Sequence, residues 1–415
     1  MKVLVIGGGG REHAIVDALS RSRKVSEIFC APGNAGIAEL ATCVPLKDTD
    51  VEGLLTIAVE KKIDLTVVGP EASLAAGIVD RFRSAGLRIF GHTKEATRIE
   101  SSKQYAKRLM EKYDIPTASY RSFDDFDKAL EYVSQRPFPA VLKYDGLAAG
   151  KGVVIAQNID EARSALADML LNSAFGKGSV VVEDYLEGPE FSFMCFVSGR
   201  NVLPMPLSQD HKRAFDGDKG PNTGGMGAYT SLPFITEADR TYALENILRR
   251  AASAMADEGT PLSGVLYAGL MKTAQGIRVI EFNARFGDPE TEVVLPLLES
   301  DIFDVFCAAA ESKPLPDALK WSNRATMGVV MASKGYPLSY EKGFTISGLE
   351  KVKSKIFHMG TKCEGGRLVT AGGRVLMVVA EAETIIAARA KAYGDIESIS
   401  CDNLFYRKDI AHQAL

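Results

Sequence analysis

Val279-Ile280-Glu281-Phe282-Asn283-Ala284-Arg285-Phe286-Gly287-Asp288-Pro289-Glu290 is the stretch on which the reading of this chain turns. The run Ile277 to Asn283 is rich in β-formers and is read as a strand. Side chains on a strand alternate between faces. Glu281, Asn283 and Arg285 therefore share one face if the strand runs that far, and Phe282, Ala284 and Phe286 share the other. The apolar face can pack on a core. The polar face offers a carboxylate, a carboxamide oxygen and a guanidinium. A hard cation such as Mg²⁺ takes oxygen ligands of the first two kinds and fills its other positions with phosphate and water. The guanidinium suits a carboxylate or a phosphate. Gly287-Asp288-Pro289 then stops the strand. A plain amphipathic strand with its polar face in water is the bland alternative, and it rarely combines these three groups with such a stop.

The chain has 415 residues, which allows about two to four domains with ample core. Its 46% hydrophobic and 25% charged content is that of an ordinary soluble globular protein. A net charge of -4 gives no basic field, so nucleic acid is not expected as a partner. Six scattered cysteines form no CxxC pair, which suggests neither a zinc site nor a disulfide framework and fits a reducing cytoplasm. No apolar run is long enough to span a bilayer, and no signal peptide is recognised.

Lys2 to Ile6 reads as a buried strand, followed by Gly7-Gly8-Gly9-Gly10-Arg11-Glu12-His13 and an apolar helical stretch to Leu19. Strand, glycine loop and helix form a phosphate-binding arrangement. The dinucleotide pattern fails, because it needs glycine where Glu12 stands, and no acid follows the second strand to hold a ribose. A phosphate ester smaller than a dinucleotide is expected at Gly8, Gly9, Gly10 and Glu12; a tight turn that needs only backbone freedom is the alternative. Glu71 follows strand Leu65–Val68, at the carboxyl end where open α/β sheets bind ligands. Residues 1 to about 100 thus read as one doubly wound domain.

Lys103 sits early in a helix expected over Ser101 to Tyr113. Helix 124–135, strand Ala140 to Lys143, a glycine-rich tip and strand Val153 to Ala156 follow. The tip holds Gly146, Gly150, Lys151 and Gly152 and is no P-loop, since a strand follows it. With Lys143 and Lys151 beside it, it can fold over phosphates as a lid. After strand Gly178 to Val182, the segment Glu183 to Glu190 can offer backbone groups to a base edge and Glu190 to ribose hydroxyls; alone it is only an acidic loop. Residues 208–229 show no periodicity and read as a long functional loop, with Asp210, Lys212, Arg213 and Asn222 as substrate contacts. His211 is either a general base or an orienting group. Helix 237–258, strand Gly264 to Lys272 and helix 290–311 complete the core. From about Thr326 the pattern reads as a small α+β cap with no evident chemistry.

Together these residues resemble the glycinamide ribonucleotide synthetases, or phosphoribosylamine–glycine ligases, of the ATP-grasp superfamily. The resemblance runs nearly end to end. It is most specific in Asp210-His211-Lys212-Arg213 to Gly224-Gly225-Met226-Gly227 and in Glu281-Phe282-Asn283 to Glu290. It implies an α/β and α+β multidomain chain: a Rossmann-like N-terminal domain (1–100), an ATP-grasp core (101–325) with an inserted lid at about 122–188, and a C-terminal cap (326–415). It implies ATP at Lys103, Lys143, Gly150, Lys151, Glu183, Tyr185, Leu186 and Glu190, and Mg²⁺ (or Mn²⁺) on Glu281 and Asn283. Arg285 would meet glycine or its acyl phosphate, Asp210 would lie near the amine with Lys212 beside it, and Gly8–Glu12, Glu71 and Asn222 would face the remaining substrate, phosphoribosylamine. The expected reaction is ATP-dependent ligation of glycine to phosphoribosylamine through a glycyl phosphate, in the cytoplasm, by a monomer. Another ATP-dependent carboxylate–amine ligase, an NAD-dependent dehydrogenase and a non-catalytic nucleotide-binding module are the rival readings.

Overall fold

The computed structural model describes residues 1–147, 152–172, 176 and 178–415. Five strands open the chain: β1 (Lys2–Gly7), β2 (Glu27–Pro32), β3 (Thr42–Cys43), β4 (Leu65–Val68) and β5 (Ile89–Phe90). They form a parallel sheet in the order β3-β2-β1-β4-β5. Helices α1 (Gly10–Ser20), α2 (Val51–Glu60), α3 (Glu71–Ala75) and α4 (Ile78–Ser84) accompany it. Val3 to Ile6 are fully buried, as expected of a strand covered on both faces.

The helix expected from Ser101 to Tyr113 is two pieces, α5 (Arg98–Ser101) and α6 (Lys103–Lys112). Ser102 is extended at φ -129 and ψ 107, and its hydroxyl caps α6 by accepting from the Tyr105 N–H. A second sheet follows, built from β6 (Tyr120–Phe123), β7 (Ala140–Tyr144), β8 (Val153–Ala156) and β9 (Val180–Asp184), antiparallel in the order β6-β9-β7-β8. With α7 (Phe126–Ser134) and α8 (Ile159–Leu166) it encloses its own core of Ala129, Leu142, Leu166 and Val182.

The largest sheet is antiparallel around the stretch first quoted. It contains β10 (Glu190–Ser198), β11 (Asn201–Pro204), β12 (Ser208–Asp210), β15 (Gly227–Thr230), β16 (Ser263–Thr273) and β17 (Gly276–Asn283), while β13 (Arg213–Phe215) and β14 (Lys219–Asn222) form a hairpin apart from it. The 208–229 segment is therefore not structureless: β12 and β15 join the sheet and β13 pairs with β14. Its strands are three or four residues long, too short to leave a readable alternation. Helices α9 (Glu237–Ala243) and α10 (Arg249–Asp257) are joined by a π turn at Leu244–Leu248. The single helix expected over 290–311 is instead α11 (Glu290–Val294), a short 3₁₀ turn and α12 (Ile302–Ala310). Pro296 cannot continue the ladder, and Asp301 starts the second helix by accepting from the Phe303 N–H.

The C-terminal part holds β18 (Ala325–Ser333), β19 (Lys355–His358), the hairpin β20 (Thr361–Glu364) and β21 (Arg367–Thr370), then β22 (Arg374–Ala382), α13 (Ile385–Ile396) and β23 (Leu404–Phe405). It is not a self-contained cap. β18 pairs with β15, so the sheet runs β17-β16-β10-β12-β15-β18-β22-β19 without a break. The N-terminal domain is fixed to this sheet by an aromatic cluster: Phe90 lies 4.4 Å from Phe306, and Phe196 lies 5.8 Å from Phe286, ring centre to ring centre. The glycine loop, α11 and the end of β17 are thereby brought to one cleft. Among the described residues no helix is long and apolar enough to cross a membrane.

Candidate active site

β17 ends at Asn283; Phe282 is buried on its apolar face, and Ala284 and Phe286, beyond the strand end, are buried as well. Glu281 and Asn283 share the opposite face, with Asn283 Nδ2 3.5 Å from Glu281 Oε1. Desolvation opposes the charge on Glu281, but Lys212, Lys143 and Lys103 outweigh it and hold the carboxyl below its usual range. A charged carboxylate beside a carboxamide is a donor set a hard cation accepts. Among the described residues no three His, Cys, Asp or Glu side chains gather to hold a metal, so a cation here would draw its other ligands from phosphate and water.

Beyond the strand, Arg285 turns toward the N-terminal domain. Its Nε lies 3.0 Å from Glu71 Oε2 and 3.2 Å from Glu100 Oε1. Desolvation opposes its charge, yet Glu100 and Glu71 outweigh that and keep the guanidinium firmly protonated. Glu100 is buried and its pKa is raised by desolvation, against the pull of Arg285. The next turn supplies Glu290, whose Oε1 accepts from Ser192 Oγ and Tyr267 Oη, both at 2.9 Å.

The 208–227 segment faces this corner. Lys212 Nζ donates to Glu190 Oε2 at 2.8 Å. Its pKa is raised well above the usual value, because Glu190, Tyr267, Glu281 and Asp210 together outweigh desolvation. The Asp210 pKa is also pushed well upward, by desolvation and the charge of Glu290. Its Oδ1 is buried without a hydrogen-bond partner. Gly225, at φ +110, permits the approach: a Cβ there would lie 2.5 Å from Asp210 Oδ1 and 2.4 Å from Pro289 Cδ. Arg374, at the start of β22, clamps the same bend. Its Nη1 donates to the Gly224 and Asp288 carbonyls, and its Nη2 lies 2.8 Å from Asp288 Oδ1. His211 Nε2 accepts from the Ala411 N–H at 3.0 Å.

At the head of α1, the Glu12 carboxylate folds back to accept from the Gly9 N–H at 2.7 Å and pairs with Arg11 at 2.6 Å. The loop is thus not the open anion nest that four glycines suggest. Gly69 makes room for this carboxylate, since a Cβ there would meet Glu12 Oε1 at 1.9 Å.

Three family models match the chain in succession: the phosphoribosylglycinamide synthetase N domain over residues 1–100, its ATP-grasp (A) domain over 101–291 and its C domain over 326–413. The chain belongs to the phosphoribosylglycinamide synthetase family. It is an ATP-grasp ligase of purine biosynthesis. A phosphoribosylamine–glycine ligase of Halalkalibacterium halodurans is 52% identical over 419 residues, covering 100% of this chain and 97% of that one. One of Caldanaerobacter subterraneus is 48% identical, covering 99% of each. The crystal structure of the Thermotoga maritima phosphoribosylamine–glycine ligase superposes with a TM-score of 0.88 at 34% identity, over 99% of this chain and 100% of that one. A Campylobacter jejuni biotin carboxylase, at 16% identity and a TM-score of 0.76 over 100% of this chain and 94% of that one, shares the fold.

Of the family residues expected from the sequence, the structure gathers Glu281, Asn283, Lys212, Asp210 and Glu190 into one cleft, with Lys143 and Lys103 close enough to act on Glu281. Lys103 Nζ donates to the Gly146 carbonyl at 3.1 Å. Glu71 joins Arg285, and Gly8 is tied by its carbonyl to Asn34 Nδ2. One expectation needs correction, the shared strand face of Arg285 and Glu281. The Glu183 carboxylate is buried between Lys107 and Lys143, because a lone acid inside the sheet needs counter-charges, which leaves the backbone of 183–186 as the part expected to meet a base. Arg285 is not on the strand face of Glu281, since β17 stops two residues earlier. Asn222 stands exposed on β14, paired with Arg213 next to Lys212. Tyr185 is exposed and Leu186 half-buried between β9 and β10. Gly150 and Lys151 lie outside the described residues.

Sequence reading missed Glu100, Lys107, Asp288, Glu290, Glu292 and Arg374. Asp288, Glu290 and Glu292 do carry a signal, three acids at alternate positions around a proline. Arg374 carries a weaker one, following Gly372-Gly373.

Proposed function

We propose that this chain couples cleavage of ATP to the joining of glycine and phosphoribosylamine, and that the cleft residues divide the work as follows. Lys103 and Lys143 neutralise the nucleotide's phosphates, Glu190 with the 183–186 connection meets its nucleoside, and Glu281 with Asn283 would hold Mg²⁺ (or Mn²⁺). The cation would supply charge neutralisation on the phosphates during transfer. Arg285 orients the glycine carboxylate. Gly8 to Glu12 and Glu71 line the side from which phosphoribosylamine enters, with Glu12 suited to its hydroxyls or amine.

A carboxylate does not react with an amine at neutral pH. Transfer of the γ-phosphoryl group to a glycine carboxylate oxygen forms a P–O bond and releases ADP. The amine of phosphoribosylamine then attacks the acyl carbon, the C–N bond forms, and phosphate leaves with the bridging oxygen. Positioning and charge carry most of the first step. Asp210, in the bend beside Gly225 and Pro289, is the group we assign to take the proton that the amine loses. Exclusion of water by the lid protects the acyl phosphate.

The observation that carries this reading is the charged Glu281 carboxylate set among Lys212, Lys143 and Lys103 and next to Asn283. The six free cysteines suit a reducing cytoplasm. ADP release measured with glycine plus phosphoribosylamine, against bicarbonate and other small acids, tests it. Turnover confined to glycine is expected, and equal turnover with another acid would assign a different ligase.

A further inference from the structure

Lys143 is one of two lysines shared by a single buried carboxylate. Lys143 Nζ lies 2.9 Å from Glu183 Oε1, and Lys107 Nζ lies 2.9 Å from Glu183 Oε2. All three side chains are at most 5% exposed. A buried Lys143–Glu183 pair alone would be neutral and would offer little attraction to a polyphosphate. The second lysine changes the sum: two ammonium groups and one carboxylate leave a net single positive charge in a poorly screened place.

The triad also links three elements. Lys107 on α6 donates to Thr117 Oγ1 at 2.8 Å and to the Ala118 carbonyl at 3.3 Å. Thr117 Oγ1 donates in turn to the Val279 carbonyl at 2.7 Å. Lys143 on β7 donates to the Ile280 carbonyl at 2.9 Å. Both paths end on β17 just before Glu281, so the sheet carrying the lid and the strand carrying the cation ligands share one polar anchor.

We propose that Lys107 is a positioning residue for nucleotide binding: by holding one oxygen of Glu183 from α6, it keeps Lys143 oriented and its charge available to the phosphates of ATP. The inference rests on reading Lys143 as a phosphate-binding residue. Lys107 itself touches no substrate.

The test compares Lys107→Met, Lys107→Arg and Lys143→Gln in the full-length enzyme, by steady-state rates and by the Kd of a non-hydrolysable ATP analogue. Lys107→Met is expected to raise the KM for ATP and the analogue Kd about tenfold, with the KM for glycine within twofold and kcat within threefold. Lys107→Arg, which keeps the charge, is expected to bring both back within threefold. Unchanged ATP affinity in folded Lys107→Met would overturn the proposal. So would an equal loss toward ATP and glycine that arginine does not rescue, since that is a general packing defect. Lys143→Gln with normal ATP affinity would instead remove the phosphate role of Lys143, a separate failure.

If Lys107→Met does not fold, the pH profile decides. Burial lowers the Lys107 pKa to about 8, against the pull of Glu183 and with Lys143 adding to the drop; Asp184 is the other charge acting on it, and the Tyr120 ring lies 5.6 Å away. The analogue Kd of the wild type should then rise severalfold between pH 7 and 9 while that of Lys107→Arg stays flat. Parallel profiles would overturn the proposal.

Discussion

Arg285 holds Glu71 across the cleft, Nε to Oε2 at 3.0 Å, and so ties the end of β17 to the first residue of α3 in the N-terminal domain. With Glu100 on its other side, the guanidinium is fixed by two carboxylates from two elements before any substrate arrives. Its role with glycine depends on that planar fork rather than on charge alone. A lysine in its place would keep the charge and lose the geometry. Arg285→Lys should therefore lower kcat/KM for glycine by about a hundredfold, the scale of 2–3 kcal/mol for a charged hydrogen bond, with the KM for ATP nearly unchanged. Steady-state kinetics with each substrate varied in turn would check this, and an equal effect on both substrates would argue against a glycine-specific role.

Glu281→Gln preserves shape and removes the charge that three lysines surround. The variant is expected to fold normally, lose most turnover and recover part of it at high Mg²⁺. Near-normal turnover at low Mg²⁺ would remove Glu281 from the cation site.

Arg407 is 1% exposed and pairs with both Asp218 and Asp409, while its Nη1 donates to the Arg213 carbonyl at 3.0 Å. It pins the β13–β14 hairpin to the C-terminal segment. Asp218 and Asp409 remain partly open to water, so losing Arg407 costs less than breaking a fully buried pair, roughly 1–3 kcal/mol. Arg407→Met should lower the denaturation midpoint accordingly and speed proteolytic cleavage within 213–222. An unchanged midpoint would show that this buried cluster contributes no net stability.

His13 and His358 join the N-terminal domain to β19: the His358 N–H donates to His13 Nδ1 at 2.9 Å. Burial lowers both pKa values to about 4, and for His13 the neighbouring His358 adds to the shift. The unfolded chain, with imidazoles near 6.5, binds more protons between those values. Stability from the pair is therefore complete above about pH 6.5 and is lost as pH falls toward 4. Thermal scans from pH 7 to 4.5 should show a shallower loss in the double variant His13→Asn, His358→Asn than in the wild type. His92, also held at about 4 by burial, should contribute equally to both.

Much of this was legible along the chain because it is local. Strand Leu65–Val68 and strand Val153–Ala156 have the bounds that their β-formers and flanking glycines indicate. Phe282, Ala284 and Phe286 are buried as expected, although β17 itself stops at Asn283. What stayed hidden depends on partners far apart in sequence. Nothing around Arg374 announces that it clamps Gly224 and Asp288. Nothing around Lys107 announces Glu183. The C-terminal strands looked like a separate cap because the pairing of β18 with β15 spans about a hundred residues of intervening chain. Glu12 was visible as a break in a dinucleotide pattern, but its folding back over Gly9 follows from the third dimension alone.

The central claim is that glycine is activated as an acyl phosphate in the cleft formed by Arg285, Glu281 and Asn283. In that route one glycine carboxylate oxygen becomes the bridge to phosphorus and departs with the phosphate when the amine attacks carbon. Between Glu281 and Glu290 no serine or cysteine stands to carry the acyl group instead. Glycine labelled with ¹⁸O in its carboxylate, turned over with ATP and phosphoribosylamine, should deliver one labelled oxygen to inorganic phosphate per product formed, read by mass spectrometry or by the isotope shift in phosphorus NMR. Unlabelled phosphate accompanying normal product formation would contradict the account.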